Sequence, residues 1–172
     1  MPMTEIERLV ANAQIRDAMY RYARGVDRVD RELLESAYWP DATDDHIAFK
    51  GRASELIPWL VDSLANFDQT FHCLGQMWIE FTGDTTARVE TYLWNYLRIK
   101  SGPDSAEDIV QAGRYLDVFE CRANEWRIAD RRFITDWIRE LGPSASWTEP
   151  TIGIVWPMGM RKPDDPSYRW EK

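Results

Sequence analysis

One aspartate and one histidine carry most of the chemical information in this chain. Asp27 stands in Gly25-Val26-Asp27, where a helical run of apolar positions closes. His72 is one of only two histidines and stands in Phe71-His72-Cys73-Leu74-Gly75. An imidazole takes up and returns a proton near neutral pH, because its unperturbed pKa is about 6.5. A carboxylate bonded to one ring nitrogen fixes the tautomer and stabilises the imidazolium. If the fold brings the two together, Asp27 orients and charge-balances His72, and His72 moves the proton. General acid–base catalysis of this kind contributes roughly a hundredfold to ten-thousandfold. It suits elimination: a base removes a proton beside an activating carbonyl or ring, and the imidazolium then assists the leaving group. No serine or cysteine nucleophile motif implies covalent catalysis. Each residue also has a plainer role, Asp27 as a helix cap and His72 as a satisfied core side chain.

Further candidates surround this pair. The Tyr22 hydroxyl can polarise a substrate oxygen, or the ring can simply pack. His46 follows Asp44 and Asp45, but a metal needs three or four converging ligands. Neighbouring strand residues point to opposite faces, so neither a metal nor a cofactor is expected. Arg131 and Arg132 face opposite ways on one strand. If the odd-numbered face, with Arg131, Phe133 and Thr135, lines a cavity, Arg131 can stabilise a developing oxyanion. A surface ion pair is its other role. Trp59, Trp94, Tyr96 and Tyr115 are candidates for pocket lining or for ordinary core.

The elements that must position these groups follow from hydrophobic period and punctuation. Thr4-Glu5-Ile6-Glu7 is a capping box. Ile6, Leu9, Val10, Ala13, Ile15, Ala18, Met19, Tyr22 and Val26 then recur at helical spacing. Gly25 is the expected stop, which puts Asp27 just beyond the helix. Asp30 or Asp27 caps a short second helix whose apolar positions are Leu33, Leu34 and Ala37 and which ends at Tyr38-Trp39-Pro40-Asp41. Residues 42–49 read as a short strand and Lys50-Gly51 as a turn. A third helix covers 54–67, with Pro58 in or near its first turn. The period then becomes two, predicting strands over about 71–81, 85–100, 109–122 and 126–139. Val89, Thr91 and Leu93 alternate there with Glu90, Tyr92 and Trp94. Three helices followed by a strongly bent, mainly antiparallel sheet make the class α+β.

Residues 1–141 therefore read as one domain. Residues 142–172 are rich in Pro, Gly and Trp without a clear period. Trp147, Ile152, Ile154, Val155, Trp156 and Met158 are too apolar for free solvation. The segment is expected to wrap its own pocket or a neighbouring subunit.

Nine Trp, seven Tyr and six Phe suit a bulky core or a pocket for a flat, polycyclic ligand. A net charge of −8 disfavours nucleic acid and anionic membrane surfaces as partners. Cys73 and Cys121 lie in apolar runs and read as small buried hydrophobes rather than a disulfide. The opening residues lack a basic region followed by an apolar run, so a cytoplasmic protein without a signal peptide is expected.

The order of these features resembles the SnoaL-like branch of the nuclear-transport-factor-like superfamily. A helix ending near an aspartate leads to a short helix, Tyr38-Trp39-Pro40-Asp41-Ala42, a third helix, His72-x-x-Gly75 and long strands. The resemblance covers residues 4 to about 139. It extends to scytalone dehydratase, the bile-acid dehydratase of gut bacteria and lindane dehydrochlorinase, which carry an Asp–His pair in a cone-shaped cavity. Asp27 and His72 match that pair, Tyr22 matches the tyrosine of the bile-acid enzyme, and His46 falls where scytalone dehydratase has a pocket tyrosine. The second histidine of scytalone dehydratase is absent, with Trp94 or Tyr96 in that neighbourhood, and Tyr115 stands for its asparagine. The resemblance implies a cone-shaped α+β barrel. It implies a cofactor-independent lyase acting on a hydrophobic cyclic or aromatic small molecule, with His72, Asp27 and Tyr22 catalytic and dehydration as the leading reaction. Deformylation, dehydrochlorination or isomerisation by the same acid–base pair, or a non-catalytic binding or structural subunit, are the alternatives. A homo-oligomer is expected from the apolar open face of the sheet, and the resemblance favours a trimer over a dimer.

Overall fold

Thr4 opens the first helix, α1 (Glu5–Arg28): its hydroxyl accepts from the Glu7 amide, and the Glu7 carboxylate accepts from the Thr4 amide at 2.7 Å. This is a computed structural model, and it describes residues 3–46, 48–145, 147, 154 and 156–169. α1 does not stop at Gly25. It runs on to Arg28 and closes at Val29, whose φ of 52° is left-handed. Gly25 serves a different purpose. A Cβ there would lie 2.9 Å from Leu34 Cγ, so the missing side chain lets the second helix press close. Asp27 consequently sits in the last turn of α1, not beyond it. Asp30 alone caps α2 (Arg31–Ala37), accepting from the Leu33 amide.

The second helix ends at Tyr38, its C-cap, as expected, but strand β1 (Tyr38–His46) starts there at once instead of at residue 42, and Gly51 belongs to β2 (Phe49–Arg52) instead of a turn. Pro40 is tolerated because the pairing of β1 shifts register between Tyr38 and Thr43, where no ladder donor is needed. α3 (Ala53–Ser63) carries Pro58 and runs into a 3₁₀ turn, Leu64–Asn66. Four long strands follow: β3 (Phe67–Gly83), β4 (Thr86–Gly102), β5 (Ser105–Arg122) and β6 (Glu125–Pro143). The sheet order is β2-β1-β6-β5-β4-β3, and among the described strands β1 and β6 alone pair in parallel. Register shifts near Leu74, Ala112 and Val118 bend the strands. The result is a curved α+β cone that is not closed into a barrel, with β2 and β3 as its edges.

The core of the cone holds a charge. Arg131 is fully buried, and its guanidinium donates to both Asp117 oxygens at 2.8 and 2.7 Å and to the Tyr38 hydroxyl at 3.1 Å. The Tyr22 and Tyr115 rings lie 4.2 and 4.1 Å from its central carbon. A buried ion survives only when paired and hydrogen-bonded, and this one is enclosed on every side.

Residues 156–169 return to the C-terminal end of α1. The Lys162 amide donates to the Arg28 carbonyl at 2.8 Å, and the Lys162 ammonium and Tyr168 hydroxyl both donate to Asp30. Asp165 organises this strap. Its carboxylate accepts from the Ser167 hydroxyl, the Met160 amide and the Ser167 amide, and it pairs with Arg28 at 3.3 Å. Those hydrogen bonds hold its pKa down at about 2. Among the described residues, no helix is long and apolar enough to cross a membrane.

Two outcomes follow from this packing. Arg131→Met is expected to lower stability by about 3–5 kcal/mol, because Asp117 is left as an unpaired buried charge. Pairing it with Asp117→Leu should recover much of the loss in urea denaturation. Asp165 has a depressed pKa, so its contribution to holding the strap is complete above the unfolded value of about 3.9 and disappears as pH falls through about 2. Amide protection factors in 156–169 should therefore fall across that window, and Asp165→Asn should remove the pH dependence and loosen the strap at neutral pH.

Candidate active site

β3 is an edge strand, so its outward backbone donors need partners that no further strand supplies. The last turn of α1 lies against that edge. Asp27 reaches across and accepts twice from one residue: the His72 amide donates to Oδ2 at 2.8 Å, and His72 Nδ1 meets Oδ1 at 2.7 Å. An ionised carboxylate only accepts, so Nδ1 carries the hydrogen. Nε2 is then the nitrogen available for proton exchange, and it has no partner among the described residues. The side chains are 8 % and 11 % exposed, shielded yet reachable. A cleft of about 380 Å³ between α1 and β3 is lined by both, with Tyr20, Arg24, Phe71, Cys73 and Leu74 among its walls.

The strap holds the same aspartate from behind. Arg161 Nη1 donates to the Asp27 carbonyl at 2.5 Å and to the Thr70 hydroxyl at 2.8 Å. Burial pulls the Arg161 pKa down from its usual value, and the nearby Asp27 charge partly opposes this.

The remaining candidates fall into separate groups. Tyr22 is buried five residues back on α1, edge-on to Tyr38 and Tyr115 with centroids 5.9 and 5.6 Å away. Burial pushes its phenol up to about 12, so it stays protonated at neutral pH. It is absent from the cleft walls that reach the dyad. His46 stacks on Phe133 at 5.3 Å and lies 6.0 Å from Tyr115, forming an aromatic group on β1, β5 and β6. His46 Nδ1 and Asp44 Oδ1 are 3.5 Å apart, and neither atom has a hydrogen-bond partner among the described residues. Among the described residues no three His, Cys, Asp or Glu side chains converge as metal ligands would.

Three expectations need correction. Trp94 and Tyr96 do not share a face with His72. Pairing of β3 with β4 sets Trp94 against Cys73 and Tyr96 against Phe71, on the outer side of the sheet. Arg131 is not a surface residue, and its guanidinium is committed to Asp117, while Arg132 is the exposed member of the pair. Trp59 packs on Phe49 at 5.4 Å on the α3 side of the molecule, away from the cleft.

Three residues escaped the sequence reading. Asn95 lies directly opposite His72 on β4, and Gln111 directly opposite Asn95 on β5. The alternation of Val89, Thr91 and Leu93 already pointed to Asn95 as the next inward residue. Arg161 had no such signal, because its position depends on how a segment without a period returns to α1.

Asp27, His72, Asn95 and Gln111 lie inside a recognised sequence family, and Arg161 lies beyond the matched residues. Residues 7–132 match the model of the SnoaL-like domain. No curated protein matches the chain. Among solved structures, the fold is similar to a hexachlorocyclohexane dehydrochlorinase (LinA type 2), with a TM-score of 0.72, 20 % identity, 81 % of this chain covered and 94 % of that one. A scytalone dehydratase-like protein from Novosphingobium aromaticivorans gives a TM-score of 0.71 at 20 % identity, covering 83 % and 95 %. A nuclear transport factor 2-like protein from Salmonella enterica gives 0.64 at 18 %, covering 74 % and 92 %. Identities this low establish shared architecture, and the match over most of the sequence establishes kinship: the chain belongs to the SnoaL-like domain family.

Proposed function

We propose that the protein is a cofactor-independent lyase that acts on a hydrophobic cyclic or aromatic small molecule, with dehydration as the leading reaction. The observation that carries this reading is the twofold grip of Asp27 on His72 beside an open cleft. In the proposed step, His72 Nε2 takes a proton from the carbon beside an activating carbonyl or ring. The adjacent carbon–oxygen bond breaks, the new double bond forms, and the imidazolium returns its proton to the departing oxygen, which leaves as water. Asp27 stays ionised and balances the transient charge. No oxidant or reductant enters this balance. The dehydrochlorinase and dehydratase-like neighbours support an eliminating reaction of this class.

Tyr22 polarising a substrate oxygen remains part of the proposal only through a hydroxyl that is neutral at working pH. The second reading is a non-catalytic member of the family. It draws on the Asp27 bond to the His72 backbone amide, which by itself is a structural cap on an edge strand.

His72→Gln separates the two, since it keeps the backbone donor and removes the proton carrier. On a panel of fused-ring β-hydroxy ketones, turnover followed by absorbance should fall roughly a hundredfold to ten-thousandfold with the melting temperature unchanged. Equal turnover by both proteins would remove the lyase reading. We also propose that the protein self-associates, with a trimer favoured, through the outer sheet face where Trp78, Tyr92, Trp94, Leu116 and Trp137 are exposed. Sedimentation at micromolar concentration should give a multiple of the 20.2 kDa chain mass, and a monomeric mass would end that proposal.

A further inference from the structure

A row of polar side chains crosses the inner face of the sheet at the height of the dyad. His72 on β3 faces Asn95 on β4, which faces Gln111 on β5. The Gln111 amide donates to the Thr135 hydroxyl on β6 at 2.9 Å. Leu74 and Leu93 flank this row on one side of the same face, and Leu97 with Thr70, whose hydroxyl already accepts from Arg161, on the other. Polar side chains on the inward face of a sheet are retained when something satisfies them. Gln111 has found its partner within the chain. Asn95 has not: it is 6 % exposed, and its Oδ1 is buried with no donor among the described residues. An unmade bond of this kind, beside the proton carrier, is what a ligand-binding group looks like before the ligand arrives.

Resting on the lyase reading, we infer that Asn95 is the specificity-determining residue that holds the substrate's hydroxyl beside His72, so that the substrate is an alcohol and not a halide. The chemistry of the amide makes this choice. Its Oδ1 needs a donor and its Nδ2 offers one, and a hydroxyl is donor and acceptor together. A carbon-bound chlorine supplies no hydrogen to Oδ1. The register fixes the position. Directly opposed strand residues have Cβ atoms about 4.5–5.5 Å apart, so the oxygen that Asn95 holds is on the carbon at or next to the one facing His72. Elimination of water needs that adjacency, since the proton and the hydroxyl leave neighbouring carbons.

Binding of two unreactive probes tests the inference: β-tetralol and its parent hydrocarbon tetralin, titrated by calorimetry. Neither carries an activating carbonyl, so the measurement does not depend on turnover. The wild-type chain is expected to bind the alcohol about tenfold more tightly than the hydrocarbon. Asn95→Leu, of similar size, should abolish that preference and leave tetralin affinity within about twofold. Asn95→Ala cannot overpack and should do the same, which guards against a folding defect in the first variant. His72→Gln should keep most of the preference. Equal affinities in the wild-type chain, or a preference that survives both Asn95 variants, would overturn the inference. Loss of the lyase reading would show separately, as turnover indifferent to His72.

Discussion

One carboxylate ties the end of the opening helix to an exposed edge of the sheet. Asp27 comes from the helical layer and His72 from the sheet, and their two bonds are the polar connection between α1 and the exposed edge of β3. Hydrogen bonds to a charged acceptor contribute about 1.5–3 kcal/mol each, more than neutral ones. The backbone bond also fixes where the carboxylate sits, so the second oxygen has little freedom in how it meets the ring. Structural capping and chemical orientation are thus one arrangement. Substituting Asp27 disturbs both functions together, whereas substituting His72 disturbs only the chemistry.

The strap adds a second level of positioning. Asp27 is in the last turn of α1, where carbonyls lack helical partners. Arg28 and Arg161 donate to its carbonyl, and Lys162 to that of Arg28. A cationic segment suits a helix C-terminus, because the macrodipole is negative there. The family match ends at residue 132, so this support comes from sequence outside the shared domain. The Asp165 hub that organises it is held by short local bonds and one arginine, which is why its hold depends on a single carboxylate remaining ionised.

Local signals made the fold legible. The capping box at Thr4 and the period-two runs depend on neighbouring residues and appear where they were expected, whereas the α1 stripe is buried only from Ile15 onward: Ile6, Leu9, Val10 and Ala13 are exposed, and Ala11 opens the buried face instead. Gly25 was misread because a glycine can end a helix or admit a neighbour, and only the position of Leu34 decides between them. The start of β1 was set four residues late because Pro40 can close a helix and also sit at an irregular strand pairing, and the pairing of β1 with β6 is a long-range fact. Arg131 was read as a cavity or surface group because its partner, Asp117, lies fourteen residues away across a strand turn.

Parity along β4 was the finest clue available and also the one most easily overridden. Val89, Thr91, Leu93 and Asn95 form one face, and Tyr92, Trp94 and Tyr96 the other, because strand side chains alternate. Trp94 and Tyr96 attracted attention as large aromatics suited to a flat ligand, and they crowd out a small amide in a reading by residue type. The pleat ranks them differently. Trp94 lies on the outer face, packed on Phe71 at 5.8 Å, while the asparagine one position along lies directly opposite the imidazole on the inner face. In a sheet with one buried face, position in the alternation outweighs side-chain character in deciding which residues can share a site. The amide that reaches the inner face with its oxygen unpaired therefore has the stronger claim to the substrate.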